Sequence, residues 1–96
     1  MSPKRRKKLN KIRNQLDKLD DSFIKLIKQR TELVKKVLSL KIHKNEIVDK
    51  KRIKSILNNV KKKSLKNKID VKITNRIWKN MIWSFIDYER RNFKKK

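Results

Sequence analysis

Residues 9–40 read LNKIRNQLDKLDDSFIKLIKQRTELVKKVLSL, and the spacing of their apolar residues decides the fold class. Leu9, Ile12, Leu16, Leu19, Phe23, Leu26, Leu33, Val37 and Leu40 follow one another at alternating steps of three and four, with one vacancy between Leu26 and Leu33. Steps of three and four keep side chains on one stripe of an α-helix, and a sustained stripe is a heptad seam that suits a coiled-coil-like partner. Neither glycine nor proline interrupts the run. At ~1.5 Å per residue such a helix spans about 50 Å.

Outward from this helix the pattern changes twice. Residues 42–48 read as a loop, and Asp49 is a candidate N-cap for a second helix carrying Ile53, Ile56, Leu57 and Val60 and fading near Leu65. Residues 66–69 form a second connection. Asp70 is a candidate cap for a third helix, whose apolar face holds Ile73, Ile77, Trp78, Met81, Ile82 and Phe85. Residues 1–7 read as a disordered basic tail, residues 8–93 as one helical domain and residues 94–96 as a second basic tail, with fraying expected from Arg90 onward. One long helix and two short ones cannot close a bundle from a single chain, whereas two copies with their long helices side by side can. The expected fold is therefore all-α, an intertwined homodimeric helical bundle.

Composition narrows the chemistry. The chain has 96 residues, no cysteine, no glycine and a single histidine, His43. Disulfides, thiolate or multi-histidine metal sites and glycine-rich phosphate loops are excluded, so no metal and no cofactor is expected. No apolar run approaches the ~18 residues of a membrane span, and Met1–Lys8 leads into no signal-peptide core, so no membrane is expected and the cytosol is the expected compartment. The formal charge of +23 admits two readings, selection for a polyanion partner or a coding drift toward lysine, isoleucine and asparagine. A nucleic-acid binder should gather its cations on one face with stacking aromatics between them. Here lysines are spread over the polar faces and Trp78 falls on a core stripe, with only Trp83 ambiguous, so no specific nucleic acid is expected.

Four charged residues break the apolar pattern. Arg30 fills the vacancy in the first seam, where a guanidinium needs an anion, either a buried carboxylate or a ligand carboxylate or phosphate that its planar fork would match. Lys41 lies eleven residues later, close to three turns, and so on the same face or on a solvated surface. Arg13 lies seventeen residues before Arg30, roughly 25 Å along the axis. One small ligand cannot bridge them within a chain, but an antiparallel partner would bring its own Arg13 to this Arg30. Alternatively Arg13 pairs with Asp17 on the surface. Glu89 continues the apolar face of the third helix, as a rim carboxylate or as a group that hydrogen-bonds a ligand.

Taken together, the segments IRNQLDKLD (12–20), IKQRTELV (27–34), Lys41, VDKKR (48–52) and Ile77–Glu89 resemble the AroQ class of chorismate mutases, all-helical intertwined dimers. The resemblance implies a homodimer with sites shared between chains, chorismate as the dicarboxylate substrate, and its pericyclic rearrangement to prephenate in aromatic amino-acid biosynthesis. It implies that Arg13 of one chain and Arg30 of the other bind the substrate carboxylates, that Lys41 meets the ether oxygen, and that Asp49 and Arg52 sit beside the ligand. Arg13, Arg30, Lys41 and Glu89 are the expected catalytic residues, with Asp49, Arg52, Ile53 and Phe85 completing the substrate site.

Three positions depart from the family pattern. Ile53 stands where the family has Glu, Glu89 where it has Gln, and Phe85 where a small hydroxyl is common, with Ser84 next to it. The loop before Asp49 is one residue shorter. Isochorismate-pyruvate lyase shares the fold, lacks the acid at the Ile53 position and carries an aromatic near Phe85, so it is the alternative activity. A Lys-rich nucleic-acid binder and a non-catalytic interaction module are the alternatives outside catalysis.

Overall fold

The computed structural model describes residues 1–95, and every regular element in them is a helix. Helix α1 runs from Pro3 to Leu40, a 3-10 turn from Lys44 to Glu46, α2 from Lys50 to Lys66 and α3 from Val71 to Asn92. The long-short-short order expected from the apolar spacing is what the chain adopts. The chain divides into two structural units between Leu33 and Val34.

The first unit holds most of α1. Its start corrects the expected tail: residues 3–7 are helical. Ser2 caps the helix, its Oγ accepting from the Arg5 N–H at 3.3 Å and its carbonyl from the Arg6 N–H at 2.9 Å. Pro3 follows at the first helical position, where a missing N–H costs nothing. Lysine and arginine are themselves good helix formers, so charge alone did not end the helix. No residue of α1 is buried, and apart from half-buried Leu9 the seam's apolar residues stand in solvent, Phe23 at 59% and Leu33 at 60% exposure.

The second unit begins at Val34 and contains the core. The α2 N-terminus is capped by Asp49, whose Oδ1 accepts from the Arg52 N–H at 3.0 Å, and α3 by Asp70, whose Oδ1 accepts from the Lys72 N–H at 2.8 Å. Both caps lie where the sequence placed them. Helix α2 and helix α3 pack as an αα-hairpin. Ile47, Ile82 and Ile86 are buried at its centre, with Val48, Ile53, Ile56, Leu57 and Phe93 packed around them. Ile47 and Val48 come from the segment expected to be plain loop, and they supply core because they precede the capped turn of α2. Phe93 likewise corrects the fraying expected from Arg90: α3 continues to Asn92, and Phe93 anchors its end. Of the expected 94–96 tail, Lys94 and Lys95 lie beyond the helix, and Lys96 falls outside the described residues.

Two polar features join the helices of the hairpin. Ser64, buried at 3% exposure, hydrogen-bonds Thr74 across the helices, oxygen to oxygen at 2.7 Å. The turn after α2 is a Schellman motif: the Ile69 N–H donates to the Ser64 carbonyl at 2.9 Å and the Lys68 N–H to the Leu65 carbonyl at 3.2 Å. It places Lys68 at φ 56, in the left-handed region that glycine usually fills. Among the described residues no helix is long and apolar enough to cross a membrane.

Candidate active site

The second unit brings two of the expected catalytic residues into direct contact. Glu89 lies one turn beyond the buried Ile86 and two beyond the buried Ile82 on α3, so the helical period carries its carboxylate into the same interior. It is only 6% exposed. Lys41 is the first residue past α1, its N–H still held by the Leu38 carbonyl at 3.1 Å. Its Nζ donates to Glu89 Oε1 at 2.9 Å, a charge-assisted bond, and approaches the Ile47 carbonyl at 3.5 Å. The pair is withdrawn from solvent, with side chains 16% and 8% exposed for Lys41 and Glu89.

An ammonium has three N–H donors. Glu89 takes one, and the Ile47 carbonyl is at the long limit for a second. Lys41 is thus fixed in place with donor capacity left over. It lines an open cleft of about 590 Å³ with Glu46, Val48, Asp49, Lys50 and Lys51. The floor of that cleft is pinned by its own turn, where the Glu46 carboxylate accepts from the His43 N–H at 2.9 Å.

The remaining expected residues take varied places. Asp49 uses one carboxylate oxygen as the α2 cap and lines the cleft. Arg52 stands in the first turn of α2 with an exposed side chain. Ile53 packs against the core, and it also lines an apolar groove with Val48, Leu57 and Trp83. Phe85 is half-buried one turn before Glu89. Arg13 and Arg30 belong to the first unit, on one helix, Arg13 exposed and Arg30 half-buried. No ion pair joins Arg13 to Asp17 among the described residues, so the surface-pair reading of Arg13 has no support in the geometry.

The sequence pattern of the family described as chorismate mutase type II matches residues 12–90. The chain belongs to the chorismate mutase type II family. The matched span takes in every expected site residue from Arg13 to Glu89, and it leaves the first turns of α1 outside. No curated protein and no solved structure matches the chain.

The residues alone read Lys41 as a solvated or ligand-facing lysine and Glu89 as a rim or ligand-facing acid, and the family resemblance set both in one substrate site. Their bond to each other was not foreseen, because forty-eight residues separate them and only tertiary packing joins them. The Ile47 carbonyl beside Lys41 was also missed. Its only signal was an apolar pair, Ile47-Val48, in an otherwise polar loop just before a cap.

Proposed function

We propose that this chain is a chorismate mutase that works as a homodimer in the cytosol, with two equivalent sites each built from both chains. The observation that carries the reading is the Lys41–Glu89 pair, a lysine held at 2.9 Å by a buried carboxylate with donors to spare, inside a chain of this family. The rearrangement of chorismate needs no nucleophile, metal or cofactor. The protein must hold a folded, reactive conformer and offer donors to the ether oxygen, where charge builds as the bond breaks. Arg13 of one chain and Arg30 of the other would clamp the two carboxylates, each guanidinium bonding an anion two points at a time. Lys41 would donate to the ether oxygen. Asp49, Arg52 and Phe85 would border the ligand.

Dimerisation is supported by the bare seam of α1. Leu16, Leu19, Phe23 and Leu26 stand exposed on a heptad stripe, and burying each such side chain is worth ~1.5–3 kcal/mol. The spacing of Arg13 and Arg30, roughly 25 Å along one helix axis, also requires a second chain if both are to reach one small dianion.

Glu89 gives this site its particular character. A carboxylate accepts hydrogen bonds and cannot donate one to the ether oxygen. With Lys41 as its partner, Glu89 serves as the anchor of the donor. The second reading, isochorismate-pyruvate lyase, is favoured by Ile53, which occupies the expected acid position and is committed to apolar packing. Purified protein incubated separately with chorismate and isochorismate separates the two. Prephenate from the first is expected; pyruvate from the second alone would replace the mutase with the lyase, and neither product would leave a non-catalytic module.

A further inference from the structure

The first nine residues of α1 lie outside the family's matched span and carry an arrangement the catalytic reading does not use. Lys4, Arg5, Arg6, Lys7 and Lys8 are consecutive, Lys11 follows one turn on, and Asp17 is the first carboxylate in the chain. Because these residues are helical, each step rotates the side chain by about 100°. Five consecutive cations therefore surround the axis, leaving no sector wider than about 100° without a positive charge. They also sit at the end of the helix where the backbone dipole is positive, with no acid in the first turn. This placement works against the isolated helix, and a local conflict of that kind marks a site whose partner is missing.

We propose that residues 3–11 form a nucleic-acid-binding arm that engages the phosphate backbone without reading sequence. The charge distribution selects the partner. A flat anionic membrane meets the cations on one side of a helix only, and a helix that inserts into it carries an apolar face opposite them. Here Leu9 is the one large apolar side chain between Pro3 and Lys11. A helix about 10–12 Å across fits the duplex major groove, which is about 12 Å wide and flanked by phosphates on both sides. Cations on all sides of the axis match phosphates on both walls. No aromatic or amide side chain other than Asn10 lies in the arm to read base edges, so the contacts fall on phosphate. Six cations predict a slope of log Kd against log salt of about 5, from ~0.9 per phosphate contact. The proposal is independent of the mutase reading.

The test uses fluorescence anisotropy with a labelled duplex DNA of twenty base pairs and random sequence, titrated with full-length protein from 50 to 200 mM salt. An arm variant carries Gln at positions 4–8, and a charge-matched control replaces Lys54, Lys61, Lys62, Lys63 and Lys66 of α2 with Gln. Helicity of each is verified by circular dichroism. The arm variant should lose about 4 from the salt slope and at least a hundredfold in affinity at 100 mM salt, against tenfold or less for the control. A milder variant, Lys4→Gln with Lys7→Gln and Lys8→Gln, should fall between. Equal losses in arm variant and control would reduce the effect to net charge and overturn the proposal. So would absence of binding by the parent at 50 mM salt, or tighter arm-dependent binding, per phosphate, to phosphatidylglycerol vesicles than to duplex.

Discussion

Replacing Lys41 with Met keeps the length and volume of the side chain but removes its charge, leaving the Glu89 carboxylate without the ammonium 2.9 Å away. Breaking a buried ion pair from one side costs ~3–5 kcal/mol, because the remaining charge stays desolvated. Lys41 keeps 16% of its side chain in solvent and Glu89 8%, so water reaches the pair at one edge and the lower end applies, about 3 kcal/mol. The reciprocal change, Glu89→Leu, should cost less, about 1–2 kcal/mol, because a freed lysine can swing its head to solvent while its stem stays packed. The double variant, Lys41→Met with Glu89→Leu, replaces the pair by apolar groups and should return to within about 1 kcal/mol of the parent. The coupling between the two sites is then at least about 3 kcal/mol, large for a pair of side chains. Urea unfolding followed by circular dichroism reads all four corners of this cycle. Protein concentration must be held fixed, because self-association feeds into the apparent stability. Additive single effects, with coupling below about 0.5 kcal/mol, would mean that Glu89 and Lys41 are not paired in solution.

Three further outcomes are expected. Equal amounts of Arg13→Ala and Arg30→Ala proteins, each inactive alone, should regain about a quarter of parent turnover after mixing and refolding, since half the dimers are mixed and each restores one of two sites; no recovery would place both arginines of a site on one chain. Glu89→Gln keeps the shape of the side chain but removes the charge that anchors Lys41, and should lower chorismate turnover by about tenfold; an unchanged rate would mean that Lys41 does not depend on this anchor. Asp49→Ala removes the α2 cap and should cost ~1 kcal/mol, seen as a fall of about 4–8 °C in Tm by circular dichroism; an unmoved Tm would show that the cap is not formed in solution.

What the sequence made legible follows from period and local chemistry. Nine apolar residues at steps of three and four carried α1, and two aspartates in front of apolar stripes marked the starts of α2 and α3, because each signal lies within one or two turns of the residues it governs. The first turns of α1 were misread since cationic residues were taken as a sign of disorder, while Ser2 and Pro3 formed a helix start in plain view. Phe93 was lost inside a basic tail for the same reason. Ser64 gave no warning of burial: a hydroxyl on an apolar stripe is recognised only when its partner, Thr74 on another helix, is known. At the site, the positions of Lys41 and Glu89 were legible and their bond was not. Arg30 was legible as the vacancy in a seam and Arg13 as a cation beside it, and most of the seam lies bare along α1.

The chain contains no glycine, and the turn between α2 and α3 shows what that costs. A Schellman motif asks its first residue past the cap to adopt a conformation in which a β-carbon crowds the backbone, and Lys68 adopts it with φ 56. Lysine also has fewer backbone states to lose on folding than glycine does, which returns part of that strain through the unfolded chain. The two effects oppose each other, so the hairpin tolerates a residue that its geometry alone would reject. Among the described residues Lys68 is the one that meets a backbone position where a side chain is a hindrance, and the fold absorbs it as stored tension in a surface turn rather than as a change of architecture.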